Sequence, residues 1–203
     1  MKNITMAELT QLAESGLAYA GWYENAKDAI EAICVARGWD SVRFACALSA
    51  LSPRVAVKRN VSLMAALTRG EPQQGLKATW NKASLIWSQP NGIDLANDML
   101  NIADELPPGS AYKTACFAAN LTGHYEPVTL DSWMCKAMGA PLEKMSSRPW
   151  YQAGTETIQG IAAELNQTPA GIQSSIWHAY AFQNGRKTMG NFAELLLEQK
   201  WGV

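Results

Sequence analysis

Helical periodicity runs through almost the whole of this 203-residue chain, and it constrains the fold more than any other feature. Apolar residues recur three and four positions apart, which is the spacing of one face of an α-helix. Strict alternation of apolar and polar residues, which is typical of strands, is nearly missing. The pattern predicts an all-α protein of about ten helices.

Capping and turn residues divide the chain into these helices. Thr5, followed three residues later by Glu8, is typical of a capping box and predicts a first helix that runs to about Tyr19. Asp40 is the expected cap of a helix over 41–51, which is apolar nearly all round and therefore expected to be buried. The other helices are expected at 22–36, 54–67, 76–87, 93–105, 113–121, 131–138, 150–165, 169–182 and 191–201.

Composition excludes several classes of protein. With 48% hydrophobic and 17% charged residues, the chain can bury a core and is unlike a disordered protein. Its four cysteines show no CxxC pair and no histidines at zinc spacing, so we expect no metal site and a reduced, cytoplasmic protein. The amino terminus lacks the apolar core of a signal peptide, and no run approaches the roughly 20 apolar residues of a membrane span. We therefore expect a soluble protein with no membrane partner.

Charge is distributed unevenly along the chain, although the formal net charge is only −1. Residues 1–31 carry two lysines and five acids, whereas residues 53–82 carry six bases and one acid. The bases Arg54, Lys58 and Arg59 open this second stretch. A basic stretch in a neutral protein can be an electrostatic footprint for phosphate, and a solvated helix face explains it equally well.

A lysine and an aspartate, Lys113 and Asp131, lie 18 residues apart at the expected starts of two short helices. The positive end of a helix disfavours an ammonium, and desolvation lowers the pKa of a lysine further, towards that of a usable nucleophile. A neutral amine can attack the sugar C1′ of a nucleotide and form an imine. A nearby carboxylate can stabilise the developing positive charge or deprotonate the lysine. Taken alone, each residue has an ordinary explanation: an aspartate before a helix is usually its cap, and a first-turn lysine is usually solvated.

The surroundings of these two residues carry a family resemblance. Pro108-Gly109, Lys113-Thr114-Ala115 and Asp131-Ser132 follow one another in an order and spacing that resemble the helix-hairpin-helix, Gly/Pro-rich-loop, aspartate superfamily of DNA glycosylases. Residues 48–59 also resemble the segment of that superfamily that faces the DNA minor groove. The resemblance covers residues 44–138. It implies a two-lobed helical fold with a helix-hairpin-helix motif, in which residues 40–139 form the hairpin-bearing lobe, 1–39 and 140–203 form the other, and both make one compact unit.

The resemblance also implies roles for individual residues. Lys113 would be the nucleophile and Asp131 its acidic partner. The residues expected to contact DNA are the hairpin turn, the segment near the gap left by a flipped nucleotide, and the three bases that open the stretch 53–82: Gly109, Ser110, Ala111, Tyr112, Leu51, Ser52, Arg54, Lys58 and Arg59. The candidates for a base pocket are Trp133, His124, Gln173 and Trp177. For Gln173 and Trp177 a place in the core, and for His124 a surface loop, are the simpler interpretations.

Some positions depart from the superfamily pattern. Ala111 stands where the second hairpin glycine is usual, and Pro107 stands where a leucine is usual. No four-cysteine pattern follows, so the iron–sulfur cluster of the endonuclease III branch is not expected, and no motif indicates another cofactor. Beyond Gly139 the resemblance ends, and the target base is not implied. These departures and the small size are typical of a divergent, phage-type branch.

Three functions remain open from the sequence. The first is a DNA N-glycosylase that flips a modified or damaged base out of duplex or single-stranded DNA, with AP lyase activity through a lysine imine, acting as a monomer. The second is a phage-type transferase that modifies an activated thymine derivative in DNA. The third is a DNA- or partner-binding protein that has the same fold and no catalytic activity.

Overall fold

A computed structural model describes residues 4–105, 111–186 and 191–202, and these residues form helices and connecting turns without a strand. None of the described helices is both long and apolar enough to cross a bilayer. The all-α prediction is confirmed. The helices are α1 (Met6–Ser15), α2 (Trp22–Arg37), α3 (Ser41–Ala50), α4 (Val57–Thr68), α5 (Lys77–Ser88), α6 (Gly92–Glu105), α7 (Ala111–Leu121), α8 (Ser132–Ala137), α9 (Arg148–Glu164), α10 (Pro169–Gln183) and α11 (Phe192–Leu197), with 3₁₀ turns at Leu17–Tyr19 and Leu142–Ser146.

The caps expected at Thr5 and Asp40 are present, and the structure also has one at Thr168. Thr5 accepts a hydrogen bond from the backbone of Glu8, whose side chain bonds back to Thr5, so the capping box of α1 is complete. Asp40 caps α3, and Thr168 caps α10, in which Pro169 occupies the first turn. Each cap satisfies a backbone N–H that has no partner inside the helix, and these short polar signals therefore fix where the helices begin.

Several boundaries differ from the sequence prediction, and the largest differences are those of α1, α4 and α11, the last of which ends at Leu197 instead of residue 201. α1 ends at Ser15, and the next residue, Gly16, passes so close to α10 that an added Cβ would lie 2.1 Å from the Ser175 carbonyl oxygen, so only a glycine fits there. α4 begins at Val57 because Arg54 has a left-handed backbone (φ 63°), which keeps the segment after α3 out of a helix.

The core is built around α3, in which every residue from Phe44 to Ala50 is buried. This helix packs against α2, α4, α5, α6 and α7, whereas α10 packs against α1, α2, α8 and α9. α2 contacts helices of both groups, and the predicted division into two lobes stays a prediction. α6 and α7, which flank residues 106–110, pack against each other.

All four cysteine side chains lie inside this core. Burial raises the pKa of the Cys34 and Cys46 thiols to about 12 and that of Cys135 to about 11. A thiol with so high a pKa carries little thiolate at neutral pH and is a poor nucleophile or metal ligand. These cysteines act as small apolar core residues.

His178 is a buried titratable group on α10. Its Nδ1 lies 2.8 Å from the Ser174 carbonyl oxygen, and its ring stacks on Tyr19 with the centroids 4.2 Å apart. Desolvation lowers the pKa of His178 to about 4, although the hydrogen bond to Ser174 acts in the opposite direction. The folded protein therefore holds a neutral imidazole at neutral pH.

We predict that the protein loses stability between pH 6.5 and 4 because of His178. In this range the unfolded chain takes up a proton at His178 that the folded chain does not, so unfolding becomes more favourable as the pH falls. The full loss is roughly 2–4 kcal/mol. Urea denaturation at several pH values should show a smaller loss for His178→Gln than for the wild type. His124→Gln, at the exposed second histidine, is the control and should follow the wild type. Equal pH dependence for all three proteins would contradict the assignment.

Candidate active site

Lys113 and Asp131 line the same pocket, although they come from different helices. The pocket is partly open to solvent, and the volume that it encloses is ≈ 80 Å³. Its aromatic and aliphatic lining comes from Trp22, Tyr23, Val55, Val57, Phe117 and Trp177. Its polar lining comes from Ser52, Asn60, Lys113, Thr129, Asp131, Gln173 and Ser174.

Lys113 is half-buried in the first turn of α7. Its Nζ donates a 2.7 Å hydrogen bond to Ser52 Oγ and lies 5.1 Å from the centre of the Phe117 ring. Desolvation lowers the pKa of Lys113 below its ordinary value, and the negative charge of Asp131 opposes this shift. The amine is therefore held in place by one neutral partner and is easier to deprotonate than a surface lysine.

Asp131 is the N-cap of α8, as expected from its position in the sequence. Its Oδ1 accepts the backbone N–H groups of Trp133 and Met134 at 2.9 and 3.0 Å. Its Oδ2 accepts the indole N–H of Trp177 at 3.1 Å. Capping is thus not the whole role of this residue, because one carboxylate oxygen caps α8 while the other binds a side chain of α10.

Lys113 and Asp131 do not form a direct ion pair within 4.0 Å; the pairs of that length in the described chain involve Lys27 and Arg69. The negative charge of Asp131 nevertheless acts on the amine from a distance, and this attraction opposes the lowering of the Lys113 pKa by desolvation. A gap between an amine and a carboxylate leaves room for a reacting atom, which a closed ion pair would exclude.

The segment that leads into Asp131 is fixed by buried side chains. The Tyr151 hydroxyl donates to the Val128 carbonyl at 2.8 Å and accepts the Leu130 N–H at 3.1 Å. Asn120 accepts the Thr129 hydroxyl at 2.9 Å and donates to two carbonyl groups of the preceding loop. These contacts provide hydrogen-bond partners for the backbone groups of a buried extended segment that has no neighbouring strand.

Two buried amides in the pocket have hydrogen-bonding groups that no described residue uses. Gln173 Oε1 accepts the Tyr23 hydroxyl at 2.7 Å, which leaves the amide nitrogen of Gln173 as a donor. Asn60 donates to the Leu48 carbonyl at 2.9 Å, which leaves its oxygen as an acceptor. The indole N–H of Trp22 is also buried without a partner among the described residues. Buried polar groups are normally satisfied, so the unpartnered Trp22 N–H indicates a place for a polar ligand, to which Gln173 and Asn60 can add a donor and an acceptor.

The residues predicted to contact DNA have different surroundings in the structure. Arg54, Lys58 and Arg59 are exposed and alternate along the chain with Val55, Val57 and Asn60 of the pocket lining. Ser52 lies in the pocket, as the hydrogen-bond partner of Lys113. Leu51 is fully buried, so its side chain packs in the core and is not available to fill a gap in DNA.

The hairpin turn is described only in part. Gly109 and Ser110 lie outside the described residues, and of Ala111 only the backbone is described, as the first residue of α7. Tyr112 is buried and stacks on Tyr151 with ring centroids 5.1 Å apart, so its side chain supports the core.

Two of the four base-pocket candidates, Gln173 and Trp177, line the pocket. The other two, Trp133 and His124, do not. His124 is exposed in the loop after α7. Trp133 lies beside the pocket, since its backbone N–H bonds to Asp131.

Sequence reasoning missed other pocket residues. Tyr23, from the acidic amino-terminal region, has no local feature that distinguishes it from a core tyrosine. Asn60 did carry a signal, because it is a polar residue on the buried face of a helix, next to Val61 and Met64. A polar residue at such a position needs a partner and is worth examining.

We predict that Tyr151→Phe destabilises the protein by about 1–3 kcal/mol, because it leaves two buried backbone groups without a partner. Urea denaturation measures this loss. Tyr19→Phe is a matched control at a half-exposed tyrosine and should change the free energy of unfolding by less than about 0.5 kcal/mol. Equal effects of the two substitutions would show that the Tyr151 hydroxyl does not hold the segment before Asp131.

Comparison with family models gives a match over residues 10–187, which is most of the chain. Comparisons with curated proteins and with solved structures gave no match. The matching model carries the description "Family of unknown function (DUF7178)", and the chain belongs to this family.

Proposed function

We propose that this protein is a DNA N-glycosylase-like enzyme with AP lyase activity, built on the two-lobed helix-hairpin-helix glycosylase fold. The observation that carries the proposal is that Lys113 and Asp131, two residues expected to act together, line one pocket. The lowered pKa of Lys113 supports a role as nucleophile. The same proposal includes DNA as the partner of the protein and an intracellular location for it.

The pocket lining supports a flipped nucleobase as ligand. Trp22, Phe117 and Trp177 offer aromatic surface on which a planar ring can stack. The amide nitrogen of Gln173 and the amide oxygen of Asn60 offer a donor and an acceptor for the polar edges of a base. A base inside a duplex cannot reach such a pocket, so the nucleotide would have to leave the stack.

The proposed reaction begins with neutral Lys113. Its Nζ lone pair forms a bond to C1′ as the N-glycosidic bond breaks, and the base leaves with the bonding electrons. Asp131 stabilises the positive charge that develops on the sugar. The proton lost from Nζ neutralises the departing base. The C1′–O4′ bond then opens, the remaining N–H proton moves to O4′, and an imine joins Lys113 to C1′.

We predict that borohydride, which reduces an imine to a stable amine, traps the protein on DNA through Lys113. Duplex and single-stranded oligonucleotides carrying uracil, 8-oxoguanine, thymine glycol, 5-hydroxymethyluracil or an abasic site form the panel. The adduct should be lost in Lys113→Met and kept in Lys77→Met, a matched control on α5, from which no residue lines the pocket. Trapping should increase as the pH rises through the lowered pKa of Lys113, because the neutral amine reacts.

The Lys113→Met variant should be as stable as the wild type or more stable, since it removes a desolvated charge. A lost adduct in a well-folded variant therefore reports chemistry. If the wild type gives no adduct on any oligonucleotide, the lyase proposal fails, and a base-modifying transferase or a binding protein replaces it. An adduct that persists in Lys113→Met would place the nucleophile elsewhere.

We predict that Asp131→Asn separates catalysis from capping. Asparagine is as good an N-cap as aspartate, but its NH₂ group replaces the oxygen that accepts the Trp177 indole N–H, so the melting temperature should fall by about 2–4 °C, as for the loss of one hydrogen bond. The loss of the negative charge should lower the rate of base release or trapping by about 10²–10⁴-fold. Single-turnover kinetics of both proteins on the best oligonucleotide measure the ratio. A variant that retains the wild-type rate would limit Asp131 to its structural role.

A further inference from the structure

Trp133 is the centre of a cluster of positive charge on the surface next to the pocket. The Lys136 ammonium lies 5.1 Å from the centre of the Trp133 ring, and the Arg186 guanidinium carbon lies 4.6 Å from it. Both cations are exposed, and no carboxylate of the described chain lies within 4.0 Å of either. We call Trp133, Lys136 and Arg186 the tryptophan cluster.

The backbone brings these residues together in a defined way. Lys136 lies three residues after Trp133, one turn along α8. Arg186 follows the end of α10, where Gly185 has a left-handed backbone (φ 82°) and the Arg186 N–H returns to the Ala181 carbonyl at 3.1 Å. This is the hydrogen bond of a glycine-terminated helix, so the guanidinium is carried by an ordered turn.

Two like charges on one indole repel each other, and a bound anion would relieve that repulsion. Each cation–π contact at an exposed site contributes about 0.5–1 kcal/mol, and repulsion between the two cations opposes their gathering. Asp131, the nearest carboxylate along the chain, already accepts N–H groups from Trp133, Met134 and Trp177. The positive charge of the tryptophan cluster is therefore not neutralised by Asp131 and is available to an anionic ligand.

The tryptophan cluster lies on the α8–α10 side of the pocket. Trp133 donates its backbone N–H to Asp131, and its ring meets the edge of Tyr180, one turn beyond Trp177 of the pocket lining. The α4 side of the pocket carries a separate basic group, Arg54, Lys58 and Arg59, beside Val55 and Val57. Positive charge thus borders the pocket on two different elements.

We propose that the tryptophan cluster binds backbone phosphates of a nucleic acid strand whose flipped nucleotide occupies the pocket. This inference rests on the proposed function. It adds that the substrate is a polynucleotide held on two sides of the pocket, because a free nucleotide carries its phosphate at one end only. Arg186 and Lys136 suit this role, because arginine and lysine side chains can bind phosphate while they remain exposed to water.

The test is the salt dependence of binding to fluorescein-labelled oligonucleotides of about ten nucleotides. Lys136→Gln/Arg186→Gln should bind about tenfold more weakly than the wild type, and its slope of log K against log salt should be smaller by about 1.5–2. The control is Arg37→Gln/Lys200→Gln, which removes one exposed arginine and one exposed lysine that neither line the pocket nor belong to the basic stretch 53–82, and it should leave the slope unchanged. Thymidine monophosphate should compete poorly with the oligonucleotide.

The outcomes separate this inference from the proposed function. If the wild type binds and the two double variants lose equal parts of the slope, the tryptophan cluster is not a phosphate site, and the glycosylase proposal stands. If thymidine monophosphate competes as well as an oligonucleotide, the polynucleotide is overturned as the substrate. If the wild type binds no oligonucleotide at all, the proposed function itself fails.

Discussion

The carboxylate of Asp131 is the point on which the arrangement of the site depends. It caps α8 with one oxygen and holds the indole of Trp177 on α10 with the other. Its own position comes from the extended segment 128–130, which Tyr151 and Asn120 fix from inside the core. A single carboxylate thus joins α8, α10 and the buried segment 128–130. Hydrogen bonds to a charged group are stronger than hydrogen bonds between neutral groups. Any change in the packing beneath it would also move the charge that faces Lys113.

The electrostatics of the pocket follow from the partners of Lys113. Its hydrogen bond goes to a hydroxyl, which does not compensate a positive charge, and the Asp131 carboxylate acts only from a distance. A close carboxylate would have kept the amine protonated, whereas a fully apolar site would have cost more stability. The observed compromise is a lysine whose pKa is lowered and whose side chain remains oriented. Burial of this lysine lowers the stability of the folded protein, and the packing of the surrounding helices offsets this loss.

Much of the helical layout could be predicted, because caps and apolar spacing are local properties of the sequence. Thr5, Asp40, Asp131 and Thr168 mark helix starts through their own side chains. The helix ends are harder to predict, since Gly16, at the end of α1, packs against Ser175, a residue distant in sequence. The same distinction applies to the site: Lys113 and Asp131 stand in a recognisable order, whereas the Tyr23–Gln173 hydrogen bond spans 150 positions. No short stretch of the sequence contains both residues, so local patterns do not reveal this hydrogen bond.

The burial of the four cysteines has a practical consequence for labelling. Enclosure of all four thiols, and the raised pKa values of Cys34, Cys46 and Cys135, make the thiols of the folded protein slow to react with maleimides and other alkylating reagents. A single cysteine introduced on an exposed helix face would therefore react first, without prior removal of the natural ones. Probes for fluorescence or spin-label distance measurements could be attached to the intact wild-type core, which larger replacements at four buried positions would disturb.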